Sequence, residues 1–490
     1  MENPKLNHLS ETWLLEATMN DMQMKMTEGE LTAKEIVLMY LHRIAMVDKQ
    51  GPQLNSVLEV NPDAIYIAEK LDREREEQGE RGPLHGIPVL IKDNIDTGDK
   101  MHTSAGSLAI ADHYASDDAF LVQKLREAGA VILGKTNLTE WANFMTNGMP
   151  PGYSSRGGQV LNPYGPGVFP VGGSSSGSGA AVAANLAAIS VGTETSGSIL
   201  SPASQNSLVG IKPTVGMVSR RGIIPISHTQ DTAGPIARTV TDAVKLLSVM
   251  TEKDDDDPVT STQPSNQPDD WQTALDTSAL KGARIGIVRE GIFDVLDEEK
   301  KNVANRAITQ LEALGATVID EVVIPSAKAK WNVDVLIHEF KNGLNDYLRN
   351  VNSKTGVSSL TELITYNHEN RDKMLRYGQS LLLSAEKISG TLTDPAYLQS
   401  LEHDQYYASA GGIDAALKGH NLNALLFVNN LGAMIPAKAG YPSVTVPTGY
   451  TEQGEPVGIT FTGTAYSEPM LIGLAYSFEQ GTKVRRGPKL

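Results

Sequence analysis

The residues most suggestive of chemistry form a run of small side chains from Val171 to Gly179, VGGSSSGSG, in which eight of nine are Gly or Ser. A flexible tether has this composition, but an Ala-rich helical pattern follows directly, which disfavours a linker. A phosphate-binding loop is disfavoured because no Gly-Lys-Ser/Thr follows, and Val182 stands where a dinucleotide motif needs its third glycine. The serine hydroxyls remain as candidates for catalysis.

One candidate arrangement is the G-x-S-x-G turn of serine hydrolases, which Gly173 to Gly177 satisfies and which would make Ser175 the nucleophile. His403 and His420 lie downstream and could supply its base. That turn must leave a strand, however, and the preceding NPYGPGVFPVGG contains three prolines and no run of strand formers. The motif is therefore a weak alternative.

Longer segments of the chain resemble the amidase signature family, and their sequence motifs are most similar to those of the peptide amidases. The resemblance covers about residues 30–325 and 420–480. It is carried by GIPVLIKDNI, by GAVILGKTNLTEWANF, by the continuous stretch from GGSSSGSGAAVAANLAAISVGTETSGSILSPAS to GIIPISHTQDTAGPIARTV, and by the C-terminal YPSVTVPTG and PVGITFTGTAYSEPMLIGLAYSFEQ.

This resemblance implies a Ser-cisSer-Lys catalytic set. Position by position, it makes Lys92 the base, Ser174 the serine of a cis peptide after Gly173, and Ser198 the nucleophile. It implies that Ser175 supports Ser174 by hydrogen bonding and that the Thr193 hydroxyl orients the pair. The oxyanion hole would consist of the backbone N–H groups of Thr195, Ser196, Gly197 and Ser198.

Physical chemistry supports a lysine in the role of base. Ser198 is a weak nucleophile until a base accepts its proton, and no histidine lies near it in the motifs. Burial disfavours the charged form of a lysine and lowers its pKa. A neutral Lys92 could then accept the proton through Ser174, because a hydroxyl can donate and accept at the same time. Glycines suit the bends required at Gly173 and Gly197.

Two positions depart from the wording common in the family, where Asp-Thr-Gly-Gly-Ser-Ile-Arg surrounds the nucleophile. Ser196 replaces a glycine in the expected oxyanion loop, and Leu200 replaces an arginine that is common in the A subunit of the glutamine-dependent tRNA amidotransferase. Both changes favour a self-standing amidase. The amidotransferase component, which is a partner-dependent glutaminase, is the alternative. A catalytically inactive binding protein is disfavoured because the three candidate catalytic residues are present.

Three further features have simpler interpretations. His228, in ISHTQDT, is more consistent with pocket lining or structure than with a general base. Asp231 is expected to accept hydrogen bonds from loop backbone N–H groups. The acidic run Asp254 to Asp257 lacks the ligand spacing and turn glycine of a calcium loop, so a solvated loop is expected.

Composition limits the function classes. The net charge of −16 opposes binding to nucleic acid or to anionic membranes, and no apolar run reaches the roughly 18 residues that a membrane span needs. With no cysteine, thiolate metal sites and a cysteine nucleophile are excluded. The N-terminus has no signal-peptide pattern, so a cytoplasmic location is expected, although a mature secreted form would look the same.

The elements that must position these residues are predicted from periodicity. Two β-α-β units are expected. In the first, the strands are GIPVLIKD and AVILG, and the helix between them can be capped by Asp117 and Asp118 and ends at Gly129. In the second, the strands are ARIGIV and ATVIDEVVIP, and the helix between them ends at Gly315. PSVTVP and GITFTG are predicted strands. These patterns, together with the family resemblance, predict an α/β fold with a large mixed, mostly parallel sheet and helices on both faces.

We therefore predict one amidase domain over residues 1–490. Its expected parts are an N-terminal helical region (1–75), a catalytic core (76–253), a surface loop (254–275), a helical, substrate-shaping region (326–419) and C-terminal strands with a helix (420–490). The expected reaction is hydrolysis of a peptide C-terminal amide or another small amide through an acyl-Ser198 intermediate. No metal or cofactor is implied, and a monomer or homodimer is expected.

Overall fold

The computed structural model of the protein describes residues 3–268 and 270–490. Its strands are β1 Val57–Val60, β2 Pro88–Lys92, β3 Val131–Thr136, β4 Tyr153–Ser154, β5 Gly158–Gln159, β6 Ile189–Glu194, β7 Val209–Lys212, β8 Thr232–Ala237, β9 Arg284–Ile287, β10 Thr317–Ile319, β11 Ala424–Val428, β12 Ser443–Tyr450 and β13 Pro456–Thr462.

The helices up to residue 313 are α1 Pro4–Glu11, α2 Met19–Thr27, α3 Ala33–Arg43, α4 Ala64–Gln78, α5 Phe120–Glu127, α6 Ser176–Ala183, α7 Leu200–Gln205, α8 Val240–Met250 and α9 Glu298–Ala313. Those that follow are α10 Asp334–Leu348, α11 Leu360–Glu369, α12 Arg371–Met374, α13 Ser380–Glu386, α14 Pro395–Ala408, α15 Asp414–Gly419, α16 Met434–Ala439 and α17 Glu468–Thr482.

Eleven of the described strands form one mixed sheet, in the order β1-β3-β2-β6-β8-β7-β12-β13-β11-β9-β10, and β4 and β5 form a separate hairpin. Both predicted β-α-β units are confirmed, because β2 pairs in parallel with β3, and β9 with β10. Gly129 and Gly315 end the connecting helices with φ of +81° and +98°, a conformation that favours glycine. The mixed sheet flanked by helices agrees with the predicted fold class.

Parallel pairing is limited to two blocks, β3-β2-β6 and β11-β9-β10, while the six other neighbouring pairs are antiparallel. The antiparallel centre includes β7 and β8, which the sequence patterns did not predict. Pro235 in β8 argues against a central strand, but the pairing of β7 with β8 stops at Ile236, so the missing N–H of Pro235 leaves no gap in that ladder.

The start of α5 differs from the prediction. Its N-cap position is Ala119, and no side chain caps it. Asp118 instead accepts hydrogen bonds from the Gly98 N–H at 2.8 Å and from Arg126 Nε at 2.9 Å. The carboxylate therefore joins two loops to the helix rather than capping it.

The described residues of the segment 254–275 include several that are buried, unlike those of a fully exposed loop. Trp271 is buried, and so are Asp254 and Asp257, two of the four carboxylates of the acidic run. The expectation of a fully solvated run is wrong for these two, because each forms an ion pair with an arginine. The sequence does not show this, since the two arginines lie more than thirty residues upstream.

A second hydrophobic core joins the helical region 326–419 to the catalytic half of the chain. It contains Phe340 and Leu344 of α10, and Ile224 and Ile226 from the loop between β7 and β8. The helices of this region therefore pack against that loop. The loop lies close to the candidate site, as described next.

Candidate active site

Lys92 is the last residue of β2 and is completely buried. The neighbouring parallel strand β6 carries Thr193 next to its own carboxyl end, where open α/β sheets form their sites. The Lys92 Nζ atom lies 2.8 Å from the Ser174 Oγ, 2.8 Å from the Thr193 Oγ1 and 3.3 Å from the Thr193 carbonyl oxygen. The structure thus brings the predicted base, relay serine and orienting threonine together.

Burial lowers the pKa of Lys92 to about 7, although Asp231 and Glu194 oppose this by favouring the ammonium. Among residues 3–268 and 270–490, no carboxylate contacts the amine directly, because its three hydrogen-bond partners are two hydroxyls and a carbonyl. A neutral amine is therefore accessible near neutral pH. This is the state that a proton acceptor requires.

Ser174 follows a cis peptide bond with Gly173, as the family resemblance implies. Its carbonyl oxygen accepts a hydrogen bond from the Thr139 N–H at 3.0 Å. Gly173 has no room for a side chain, since an added Cβ would lie 2.6 Å from the Thr139 hydroxyl oxygen. The close approach of Thr139 thus requires a glycine at this position.

Ser175 braces the same turn. Its Oγ donates to the Thr193 carbonyl at 3.0 Å and accepts from the Thr193 N–H at 3.2 Å, so its hydroxyl is fixed against β6. His403, the base that a Ser175 nucleophile could use, packs edge-on against Trp331 and lies 3.4 Å from Asp404. The G-x-S-x-G alternative therefore receives no support from the geometry.

Glu194 organises the loop that carries Ser198. Its buried carboxylate accepts hydrogen bonds from the N–H groups of Gly197 at 2.7 Å, Ile199 at 2.7 Å and Leu200 at 3.0 Å. The Gly197 N–H, one of four predicted oxyanion donors, is thus already engaged. Sequence reasoning missed this role of Glu194, although an acidic residue directly before the loop was its visible signal.

The other predicted donors lie in the same loop. Within the described residues, the N–H groups of Thr195, Ser196 and Ser198 donate to no protein acceptor. Ser198 is partly exposed, and its carbonyl oxygen accepts from the Ser175 N–H at 3.2 Å, which joins the Ser198 loop to the turn at Ser174. Gly197 has φ of +87°, whereas Ser196 is not among the described residues with positive φ, so a serine is compatible with that position.

Asp231 connects this loop to the segment after β7. One oxygen accepts from the Thr195 hydroxyl at 2.5 Å, and the other accepts from the N–H groups of Ile226 and Ser227, each at 2.8 Å. The expectation that Asp231 satisfies loop backbone donors is confirmed. Burial raises the pKa of Asp231 to about 6, partly offset by these hydrogen bonds.

A cavity of about 260 Å³ opens beside Thr193 and Thr195. The residues that line it and that sequence reasoning missed are Asn94, Ala142, Arg220, Arg221, Ile223, Ile224, Pro225, Ile226, Thr232, Asp256 and Asp257. His228 also lines it, as expected; its side chain is half exposed, and its Nε2 lies 3.4 Å from Glu339 Oε1. Most of these residues come from the loop between β7 and β8 and from the acidic run, while Asn94 and Ala142 follow β2 and β3. No local sequence pattern predicts that these segments lie close together.

Residues 3–268 and 270–490 also bear on metal binding and on membrane crossing. No cluster of three or more His, Cys, Asp or Glu side chains in these two ranges could hold a metal ion. Among the helices of that same part of the chain, none has the length and hydrophobicity to cross a membrane.

Comparison with known proteins places the chain in a family. A family model described as Amidase matches residues 35–472. A probable amidase of Arabidopsis thaliana, At4g34880, is 42% identical over 98% of this chain and 93% of its own length. The structure of native peptide amidase from Stenotrophomonas maltophilia superposes with a TM-score of 0.91 and 45% identity, covering 97% of this chain and 98% of that one.

A further relative bears on the alternative function. The A subunit of the glutamyl-tRNA(Gln) amidotransferase of Pseudomonas savastanoi is 32% identical over 95% of this chain and 97% of its own length. Its lower identity supports that alternative less well than the amidase function. The chain belongs to the amidase family, and it is a hydrolase that acts on amide C–N bonds.

Proposed function

We propose that this amidase hydrolyses the C-terminal carboxamide of peptides, or similar small primary amides, to a carboxylic acid and ammonia. The observation that carries the proposal is the buried Lys92 amine, held between the Ser174 and Thr193 hydroxyls beside the Ser198 loop. The similarity to a peptide amidase supports this choice of substrate.

In the proposed mechanism, neutral Lys92 accepts the Ser174 hydroxyl proton while Ser174 accepts the proton of Ser198. The Ser198 Oγ attacks the carbonyl carbon, and the carbonyl oxygen takes the electron pair as an oxyanion. The N–H groups of Thr195, Ser196 and Ser198 stabilise it, each such donor being worth about 3 kcal/mol. The Gly197 N–H, which donates to Glu194, holds the loop in shape instead.

Collapse of this tetrahedral intermediate breaks the C–N bond. The departing nitrogen takes the proton back from Lys92 through Ser174 and leaves as ammonia, with the acyl group on Ser198. Water then attacks the acyl carbon while one of its protons passes through Ser174 to Lys92. The bond between the acyl carbon and the Ser198 Oγ breaks, Ser198 takes that proton back through Ser174, and the carboxylic acid is released. This cycle needs no group besides the residues named and water.

A screen of amides tests the proposal. Purified protein is incubated with acetamide, N-acetyl amino-acid amides, a dipeptide amide and glutamine, and released ammonia is measured. We expect turnover of the amino-acid and peptide amides, and none with the Ser198→Ala variant. The amidotransferase function would instead be favoured if glutamine were the sole substrate that releases ammonia, and if this release required addition of the other subunits of an amidotransferase.

A further inference from the structure

The cavity beside Thr195 is placed to contact the acyl half of a substrate. Thr193 and Thr195 line it, and Thr195 belongs to the loop proposed to bind the oxyanion. A group in this cavity is therefore close to the reacting carbonyl carbon. The group that leaves from a primary amide is only ammonia, which needs no cavity of 260 Å³.

The cavity wall is apolar. Ile223, Ile224, Pro225 and Ile226 form one continuous stretch of it, and Ala142 adds to it from another loop. Ile224 and Ile226 are also part of the second hydrophobic core, which fixes the wall against the helical region. The volume lies below the roughly 300–1,000 Å³ of sites for drug-sized molecules, so it suits one side chain rather than a whole peptide.

The charged residues at the cavity are already paired. Asp257 accepts from Arg220 Nε at 2.9 Å and from Nη2 at 2.6 Å, and Asp254 accepts from Arg221 Nε at 2.9 Å. Each guanidinium is therefore balanced by a carboxylate, which weakens its attraction for a substrate carboxylate. Asp256, the remaining carboxylate of the acidic run that lines the cavity, is 76% exposed and lies toward solvent. A charged side chain would lose water here, and the buried carboxylate at the cavity, Asp231, already accepts three hydrogen bonds.

We propose that this cavity binds the side chain of the residue that carries the carboxamide, and that the enzyme selects apolar side chains over charged ones. The inference rests on the proposed function and adds a substrate preference to it. The paired arginines and the apolar wall account for both halves of that preference.

The preference is measured with N-acetyl amides of Gly, Leu, Glu and Lys, as kcat/KM from ammonia release. We expect the leucine amide to exceed the glycine, glutamate and lysine amides by about tenfold or more, in line with the effect of apolar contacts on specificity. Equal values for leucine and glycine, or a glutamate or lysine amide equal to leucine, would overturn the inference.

Substitutions in the apolar wall of the cavity test whether the side-chain preference arises there. Ile226→Trp fills the cavity and should lower the leucine-to-glycine ratio about tenfold or more. Ile224→Ala, which enlarges the cavity, is a second variant in case the tryptophan prevents folding; with N-acetyl-phenylalanine amide added to the substrates, it should raise the phenylalanine-to-leucine ratio of kcat/KM. Ile308→Ala is the control, since Ile308 is equally apolar but lies on α9, away from the cavity lining; its ratios should match wild type.

The outcomes separate the two proposals. Turnover of all four amides without selectivity, or selectivity that the wall variants leave unchanged, overturns the side-chain cavity but leaves the amidase function intact. A cavity variant that alters only the preference among leaving groups, such as amide against anilide, shows that the leaving side binds there and overturns the inference. Failure to hydrolyse any amide overturns both.

Discussion

At the scale of single residues, the proposed mechanism depends on whether a lysine can serve as a base near neutral pH. Lys92 is completely buried, and within the part of the chain that the structure describes its amine donates to two hydroxyls and a carbonyl, not to a carboxylate. Removal from water therefore dominates over the more distant charges of Asp231 and Glu194, and the pKa of Lys92 falls to about 7. A direct carboxylate partner would have kept it an ammonium.

The lowered pKa of Lys92 predicts how kcat/KM depends on pH. We expect kcat/KM to rise with pH and level off above about pH 7, because Lys92 acts as a base only after losing its proton. Asp231→Asn should move this acid limb to lower pH, since the negative charge of Asp231 raises the pKa of Lys92. A profile that is flat from pH 5 to 9, or a limb that Asp231→Asn moves to higher pH, would contradict a neutral-lysine base.

The residues of the candidate site were largely predictable because each of them lies within a sequence motif of the family. Lys92, Ser174, Ser175 and Thr193 lie together as the resemblance implied. The role of Glu194 was not predictable, because its three hydrogen bonds depend on how the loop turns back over the end of β6. A pattern along the chain records spacing and side-chain type, but not which N–H groups a carboxylate will face.

At the scale of secondary-structure elements, the helical region reaches the site through one carboxylate. Glu339 of α10 is buried and accepts hydrogen bonds from the Thr229 N–H at 3.2 Å, the Thr229 hydroxyl at 2.9 Å and the Ser227 hydroxyl. The same loop presents its Ser227 N–H to Asp231, which holds Thr195. The contacts thus run continuously from α10 to the proposed oxyanion loop.

Replacement of that carboxylate tests whether the helical region shapes the site. A single oxygen of Glu339 accepts all three hydrogen bonds from the loop, and Glu339→Gln replaces it with a neutral amide oxygen. Hydrogen bonds to a charged group are worth roughly 1.5–3 kcal/mol each, against about 0.5–1.5 kcal/mol for neutral ones, so the loop is held less firmly. We expect KM for a peptide amide to rise about tenfold, with a smaller fall in kcat. Steady-state kinetics measures both.

Tyr397→Phe is the matched control for this variant. It removes only the 2.9 Å hydrogen bond from α14 to Glu339 and leaves the contacts of Glu339 with the loop. Its KM should stay near wild type. A Glu339→Gln enzyme with lower thermal stability but unchanged KM would mean that Glu339 only braces the fold.

At the scale of the whole molecule, an 11-stranded sheet brings the ends of two parallel strands, β2 and β6, under loops from distant parts of the chain. The β-α-β units were predictable, because buried strands and glycine-terminated helices leave strong local patterns. The cavity was not predictable from the sequence, because its wall combines the loop between β7 and β8 with the acidic run. That loop in turn packs against the helical region. Such contacts arise only once the sheet has formed.

Covalent labelling of the nucleophile tests the central claim most directly. The protein is treated with a fluorophosphonate probe, digested and analysed by mass spectrometry. We predict an adduct on Ser198 in the wild-type enzyme and its loss in Ser198→Ala, with labelling strongly slowed in Lys92→Met because the base is absent. An adduct on Ser175 instead of Ser198, or labelling of Ser198 that is just as fast without Lys92, would contradict the proposed Ser198-Ser174-Lys92 mechanism.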